Sequence, residues 1–322
     1  MKIFISGVTG YVGRNLAKHF SQDHDVKGLS RGNKCSLQLE KQGVTLFNGD
    51  LHSQSLTKAL IDHDIVIHAA ADTDHKNTSK NQYETNVIGT QRLLDAAKKA
   101  GVKKFIHIST ESVLATGKPL CQAKEGKPYP DLAVGNYSDS KRLAEEMVLR
   151  ASDDNFHVVV LRPRFIWGRD DTTAIPQILN VIEEGKFAWI SGGNYKTSAT
   201  HIDNVCAGVE CAISRGKPGE IYFLSDDDDK TFRELVTALV HAHNVSIPNK
   251  SIPRFVPFLL AKLDNLRRKI LPNTRPLPIT MQEFSTSAVE VTLNIGKAKA
   301  ELGYKPVVSF QQGLSTIEIT KE

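Results

Sequence analysis

Lys2-Ile3-Phe4-Ile5-Ser6 is an apolar run of strand type that passes directly into Gly7-Val8-Thr9-Gly10-Tyr11-Val12-Gly13 and then into a helical stretch from Arg14 to Phe20. A strand, a turn with three glycines and a helix in immediate succession leave few options. The strand belongs inside a sheet, and the helix folds back over it through a turn with little room for side chains. Such a turn leaves the first N–H groups of the helix free at the positive end of its dipole, where a pyrophosphate can bind. The spacing is GxxGxxG rather than GxGxxG, and glycine triplets alone often mark plain turns. At the first strand of the chain, however, it predicts nucleotide binding, with Gly7, Thr9, Gly10, Tyr11, Val12 and Gly13 as contacts.

Further strand and helix signals alternate along the first half. Asp25 to Leu29 is a second strand ending in Ser30-Arg31, with Lys34 close by. A guanidinium there suits a ribose 2′-phosphate, where an acid would suit free ribose hydroxyls, so NADP is preferred over NAD as the cofactor. Val44 to Phe47 leads into Asp50 and Leu51, and Asp50 is placed to accept a hydrogen bond from an adenine amino group. Ile65 to His68 runs into Ala69, Ala70 and Ala71, small residues against which a cofactor can lie. His68 reads as structural. A polar loop from Asp72 to Glu84 precedes a helix from Asn86 to Ala100 with apolar spacing at Val87, Leu93, Leu94 and Ala97. This alternation predicts an α/β fold with a doubly wound parallel sheet.

The fifth strand, Lys104 to Ile108, ends in Ser109-Thr110-Glu111-Ser112, hydroxyls that face the ligand crevice of such a sheet. Ala115 to Val134 has no periodicity and reads as a loop next to the substrate. Then comes Asn136-Tyr137-Ser138-Asp139-Ser140-Lys141, which reads as helical and so puts Tyr137 and Lys141 on one face, four residues apart. A fixed cation beside a phenol favours the phenolate and brings proton transfer within reach near neutral pH.

Totals exclude more than they select. A net charge of +5 over 322 residues comes from Lys and Arg spread along the chain, which fits an anionic ligand and gives no reason to expect nucleic acid as a partner. Cys35, Cys121, Cys206 and Cys211 lack metal-ligand spacing, and Asp226 to Asp229 reads as a loop before a helix beginning near Thr231, so no metal is expected. His201 and Asp203 read as joining hydrogen-bonders. No apolar run approaches the ~18 residues of a membrane span, and the strand-like start leaves no space for a secretion leader, so a cytoplasmic protein is expected. Arg254 to Leu271 mixes apolar residues with Arg267, Arg268 and Lys269. It reads as a cap over the substrate pocket, with contact to a membrane surface as the alternative.

Gly7, Gly10 and Gly13, Gly49-Asp50-Leu51, Asn86 in Asn86-Val87-Ile88-Gly89-Thr90, Thr110, Tyr137 with Lys141, and Arg162-Pro163 before Trp167-Gly168 together resemble the extended short-chain dehydrogenases/reductases. Leu161 to Gly168, Thr197 to Val205 and Ile221 to Asp226 resemble the 3β-hydroxysteroid dehydrogenase and dihydroflavonol reductase-like branch. The resemblance implies a Rossmann-like domain, residues 1–166 plus about 200–225. A smaller, discontinuous substrate domain would take about 167–199 plus 226–322. It implies Tyr137 as general acid/base, Lys141 as the group that holds the nicotinamide ribose and lowers the phenol's pKa, and Thr110, favoured over Ser109, as the catalytic hydroxyl. Asn86, Pro163 and Ile166 join the cofactor contacts. The implied activity is NAD(P)-dependent interconversion of a secondary alcohol and a ketone on a bulky, largely apolar small molecule. A nucleotide-sugar epimerase or dehydratase is the second reading, with Arg164, Arg169, Lys186 and Arg254 as candidate clamps for a diphosphate. A non-catalytic NADP-sensing regulator is the third, and a homodimer is one assembly open to such a chain, whose oligomeric state the sequence does not specify.

Overall fold

The computed structural model describes residues 1–32, 34–76, 78, 80–271 and 274–319. Seven parallel strands form the main sheet: β1 (Lys2–Ser6), β2 (Asp25–Ser30), β3 (Thr45–Asn48), β4 (Ile65–His68), β5 (Lys104–Ile108), β6 (His157–Pro163) and β7 (Glu220–Leu224). They lie in the order 7-6-5-4-1-2-3. Chain order reverses between β1 and β4, so the crevice at the strands' carboxyl ends opens beside the glycine turn. Ser6 pairs in register with His68, and Ile108 with Leu161, which brings the ends of β1, β4, β5 and β6 to one edge.

Among the described residues eleven α-helices accompany the sheet: α1 (Tyr11–Phe20), α2 (Lys34–Lys41), α3 (Leu56–Leu60), α4 (Gly89–Lys99), α5 (Asn136–Arg150), α6 (Ala174–Glu183), α7 (Ile202–Arg215), α8 (Phe232–His241), α9 (Phe255–Ile270), α10 (Met281–Ser287) and α11 (Phe310–Ile319). Strand alternation divides the core. Ile3, Ile5, Ile67, Ile106 and Leu161 pack with Leu16 of α1 and Val205 and Val209 of α7, while Phe4, Val66, Phe105 and Val160 pack with Leu93 and Ala97 of α4 and Val148 of α5. Both faces are covered, so the strands read as nearly continuous apolar runs.

α1 begins at Tyr11, earlier than the sequence suggests. The expected helix from Asn86 opens instead as a π-turn over Glu84–Ile88 before α4. The stretch from Ala115 to Val134 departs further from expectation, because Leu120–Ala123 is a strand. It lies parallel to Val291–Leu293 in a small sheet that also contains Lys196–Thr197 and Lys230–Thr231. Four residues cannot show a period, and the partner is far away in sequence. A helix near Thr231 is found as expected, with Thr231 and Glu234 closing a capping box on α8.

Candidate active site

The glycine turn is as tight as its composition requires. Gly7 has φ +71°, and a Cβ on it would lie 2.6 Å from the Ala70 Cα; one on Gly13 would lie 2.1 Å from the Gly7 carbonyl oxygen. Neither position accepts a side chain. Gly10 caps α1 without a side-chain hydrogen bond, so the first N–H groups of the helix face the crevice, and the buried Tyr11 hydroxyl has no partner among the described residues. These donors and this cradle fit a dinucleotide.

A single cavity of about 440 Å³ connects this turn to the catalytic candidates. Tyr11, Val12, Ala69, Ala71, Thr110, Tyr137, Lys141, Pro163 and Ile166 all line it. Tyr137 and Lys141 project from the first turns of α5, whose amino end is fastened to α10 by Ser138 donating from N and Oγ to the buried Gln282. Lys141 donates from Nζ to the Ile108 carbonyl at 2.7 Å, and burial lowers its pKa to about 8. Burial, and after it the Glu111 carboxylate, raises the pKa of Tyr137; its contact with the Thr110 side chain acts in the opposite direction. Lys141 is not among the groups that shift the phenol here. Desolvation dominates, and the ammonium, directed at Ile108, does not offset it.

Ser109 and Thr110 face different partners. Ser109 donates to Glu145 beneath the site, whereas Thr110 directs its hydroxyl to Glu111 at 3.0 Å and accepts from the Ser112 N–H. A substrate oxygen must compete with Glu111 for the Thr110 proton.

The remaining expected contacts are elsewhere. Asn86 is buried and occupied: Oδ1 accepts from Asp72 N at 2.7 Å, and Nδ2 donates to the Asp72 carbonyl and to Ser140 Oγ, both at 3.0 Å. It ties the loop after β4 to α5, so its side chain positions the site and has no donor left for a cofactor. The Leu51 side chain is core, packed against Gly89 of α4, and leaves only its backbone to a ligand. Asp50 is exposed, with one carboxylate oxygen holding its own turn through His52 N and Ser53 Oγ. Ser30 is buried and bonded to Ser36, and Arg31 stands exposed at the end of β2; the Lys34 side chain lies outside the described residues.

Sequence reasoning passes over two residues in the cavity wall. His75, in the polar loop after β4, has its ring centroid 4.7 Å from that of Tyr137, and burial lowers its pKa. Glu111 is buried in an ion pair with Arg164, whose other N–H groups reach Thr197 and the Thr286 carbonyl. Away from these groups the wall is largely apolar, with Phe165, Ile178, Phe187, Trp189, Phe232 and Ile279, although Gln177 and Glu283 also face it. His68 is structural as expected, between Ser6 and Thr90, with burial lowering its pKa to about 3. His201 caps α7 and Asp203 pairs with Arg169; Asp226 accepts from Trp167, from the His201 N–H and from Asn204.

Residues 3–225 match the model of the NAD dependent epimerase/dehydratase family. The chain belongs to that family. It is an extended short-chain dehydrogenase/reductase, and its cofactor is a nicotinamide dinucleotide. A ketoreductase of 4-hydroxy-2-methyl-3-oxo-4-farnesyl-3,4-dihydroquinoline-1-oxide from Stigmatella aurantiaca is 37% identical, with 98% of this chain and 96% of that protein aligned. The decarboxylating sterol-4-alpha-carboxylate 3-dehydrogenase of Dictyostelium discoideum is 28% identical over 98% of this chain and 99% of that one. Among solved structures, UDP-glucuronic acid 4-epimerase from Bacillus cereus, bound to UDP-glucuronic acid and NAD, superposes with a TM-score of 0.75. That match covers 99% and 98% of the two chains at 21% identity, a likeness of fold. No helix among the described residues is long and apolar enough to cross a membrane.

Proposed function

We propose that the chain reduces a ketone to a secondary alcohol, or catalyses the reverse, on a bulky and largely apolar small molecule. Tyr137 is the proton donor and Thr110 the group that holds the reacting oxygen. When bound, the dinucleotide supplies or accepts the hydride. The raised pKa of Tyr137 keeps its phenol protonated through neutral pH, the state that delivers a proton to an oxygen gaining negative charge. Lys141, cationic below its pKa of about 8, lies one helical turn along, where it stabilises that charge and binds ribose hydroxyls. Residues 1–166 with about 200–225 hold the cofactor. The substrate wall comes from about 167–199 and 226–322, joined by the strand Leu120–Ala123.

The observation that carries this reading is the cavity itself, in which Tyr137 faces a largely apolar wall and the Glu111 and Arg164 charges pair with each other. The diphosphate clamps of an epimerase are otherwise engaged: Arg164 with Glu111, Arg169 with Asp203, Lys186 with Glu184, and Arg254 with the Ala288 carbonyl. The relatives named for farnesylated and sterol substrates support the same class.

Tyr137→Phe is expected to lower kcat for a bulky apolar ketone by about 10³-fold with cofactor affinity kept, measured by nicotinamide absorbance and fluorescence titration. Turnover within a few-fold of the parent would overturn the assignment. Arg31 favours NADPH over NADH, so Arg31→Ala should weaken NADPH binding by about tenfold and leave NADH binding unchanged. Equal effects on the two cofactors would remove Arg31 from the site.

A further inference from the structure

α9 does not serve as the pocket cap that its composition suggested. None of its residues lines the cavity, whose wall on this side begins beyond the helix at Pro278 and Ile279 and continues with Glu283 and Thr286. The helix packs through Pro257, Ala261 and Asp264, with Phe258 against Phe284 of α10 at 5.4 Å between ring centroids. Its opposite face carries Phe255, Leu259, Leu263, Leu266 and Ile270, which are between 55 and 72% exposed. Steps of four, four, three and four residues place all five on one stripe along the 16 residues of the helix, a length of about 24 Å. Five large apolar side chains in line, each more than half exposed, differ from the scattered exposed leucines of an ordinary surface.

Charge follows the stripe. At 100° per residue, Lys262 and Lys269 fall along one edge and Arg267 along the other, and both lysines are exposed. The only acid on the helix, Asp264, is buried on the packed face and paired with Arg267 and Arg268. The outward surface of the helix therefore presents an apolar strip edged by the exposed Lys262 and Lys269 with no carboxylate in it. That pattern complements anionic headgroups above an acyl layer. A second copy is a poorer match, because it would set lysine rows against lysine rows. The stripe also offers on the order of 500 Å², short of the about 800 Å² per partner of a standard interface.

We propose that α9 docks the protein on an anionic lipid bilayer, lying in the interface plane with Phe255, Leu259, Leu263, Leu266 and Ile270 among the acyl chains and Lys262 and Lys269 at the headgroups. The same segment continues through Pro278 and Ile279 into the cavity wall, so a docked α9 holds that wall close to the lipid. The inference rests on the helix face alone and would survive failure of the catalytic reading.

The test is sedimentation of the full chain with sucrose-loaded vesicles of pure phosphatidylcholine and of phosphatidylcholine with a third phosphatidylglycerol. Strong binding to the anionic vesicles is expected, at least about tenfold weaker on the neutral ones and weakened by raised salt. Leu259→Gln/Leu263→Gln/Ile270→Gln should abolish binding while the melting temperature and NADPH affinity stay at the parent values. Lys262→Ala/Lys269→Ala, exposed changes that leave packing untouched, should weaken binding to anionic vesicles alone. No sedimentation with anionic vesicles, or binding unchanged in both variants, would overturn the proposal. So would a dimer in sedimentation equilibrium that the triple substitution dissociates, which would assign the stripe to a second copy.

Discussion

Arg162 and Arg164 stand two residues apart at the end of β6, and each closes on a buried glutamate, yet the two pairs act on different parts of the molecule. Arg162 meets Glu145 of α5 through Nε, 3.1 Å from both carboxylate oxygens, and through Nη2; Ser109 and Tyr129 donate to the same carboxylate. This pair lies beneath the site and binds the catalytic helix to the sheet, with Arg162 enclosed by the rings of Tyr129 and Phe223. Arg164 meets Glu111 in the cavity wall, and that carboxylate touches Thr110 and contributes to the raised pKa of Tyr137. One pair fixes where the phenol stands; the other sets the field it feels. Identical chemistry is scaffold or tuning according to what lies on its open side.

The largest effect should come from breaking the deeper pair. Glu145→Gln leaves Arg162 buried without its counter-charge, and a loss of about 3–5 kcal/mol in stability is expected by urea unfolding. Glu111→Gln should cost less, about 1–3 kcal/mol, because Arg164 keeps Thr197 and Thr286. If the two losses were equal, the contrast between scaffold and tuning would fail on stability.

Sharper discrimination comes from pH. The Glu111 charge raises the pKa of Tyr137, so Glu111→Gln should shift the Tyr137 limb of the ketone-reduction profile to lower pH, whereas a folded Glu145→Gln variant, having lost the charge that raises the pKa of Lys141, should move the Lys141 limb instead. An unmoved profile for Glu111→Gln would remove that residue from the site's electrostatics.

Lys141 supplies a third measurement. Its folded pKa of about 8 lies below the ordinary lysine value of 10.5. Folding therefore bears the full cost of burying the ammonium below about pH 8, and that cost is relieved as pH rises from about 8 toward 10.5. Lys141→Met should thus raise the melting temperature by several degrees at pH 7, with the gain fading by about pH 10, while turnover is lost. A gain that persists at high pH would point to packing instead. The smallest effect is expected of Tyr129→Phe, which removes one donor from Glu145: about 1 kcal/mol, with turnover within about twofold and no shift in the profile.

Local features were legible in the sequence. The glycine turn is determined by contacts within seven residues and by Ala70, and the pairing of Tyr137 with Lys141 follows from helical spacing alone. Glu145 and Glu111 left no such mark, because their arginines are 17 and 53 residues away. Asn86 was noticed, but its three hydrogen bonds depend on Asp72 and Ser140, whose positions only the packed fold provides. The depth at which Tyr137 is buried leaves no mark in the sequence for a related reason. Helical spacing reveals the neighbouring cation and not the depth of burial that outweighs it. The stripe on α9 was visible as a composition, while its exposure depended on which face α10 covers.

The strand Leu120–Ala123 has a consequence for how the protein is made. It pairs with a segment some 170 residues later, near Thr292, so the small sheet cannot close until about nine-tenths of the chain has left the ribosome. The first five strands of the main sheet and the glycine turn pair among residues up to Ile108, and their faces are covered once α5 and α7 have followed, still well before that. Once α7 is out, the dinucleotide cradle can form while the small sheet beside the cavity is still open. Cofactor captured at that stage would stabilise the partly made protein by mass action, and the interval before Val291–Leu293 arrives is the one in which the chain most needs protection from aggregation.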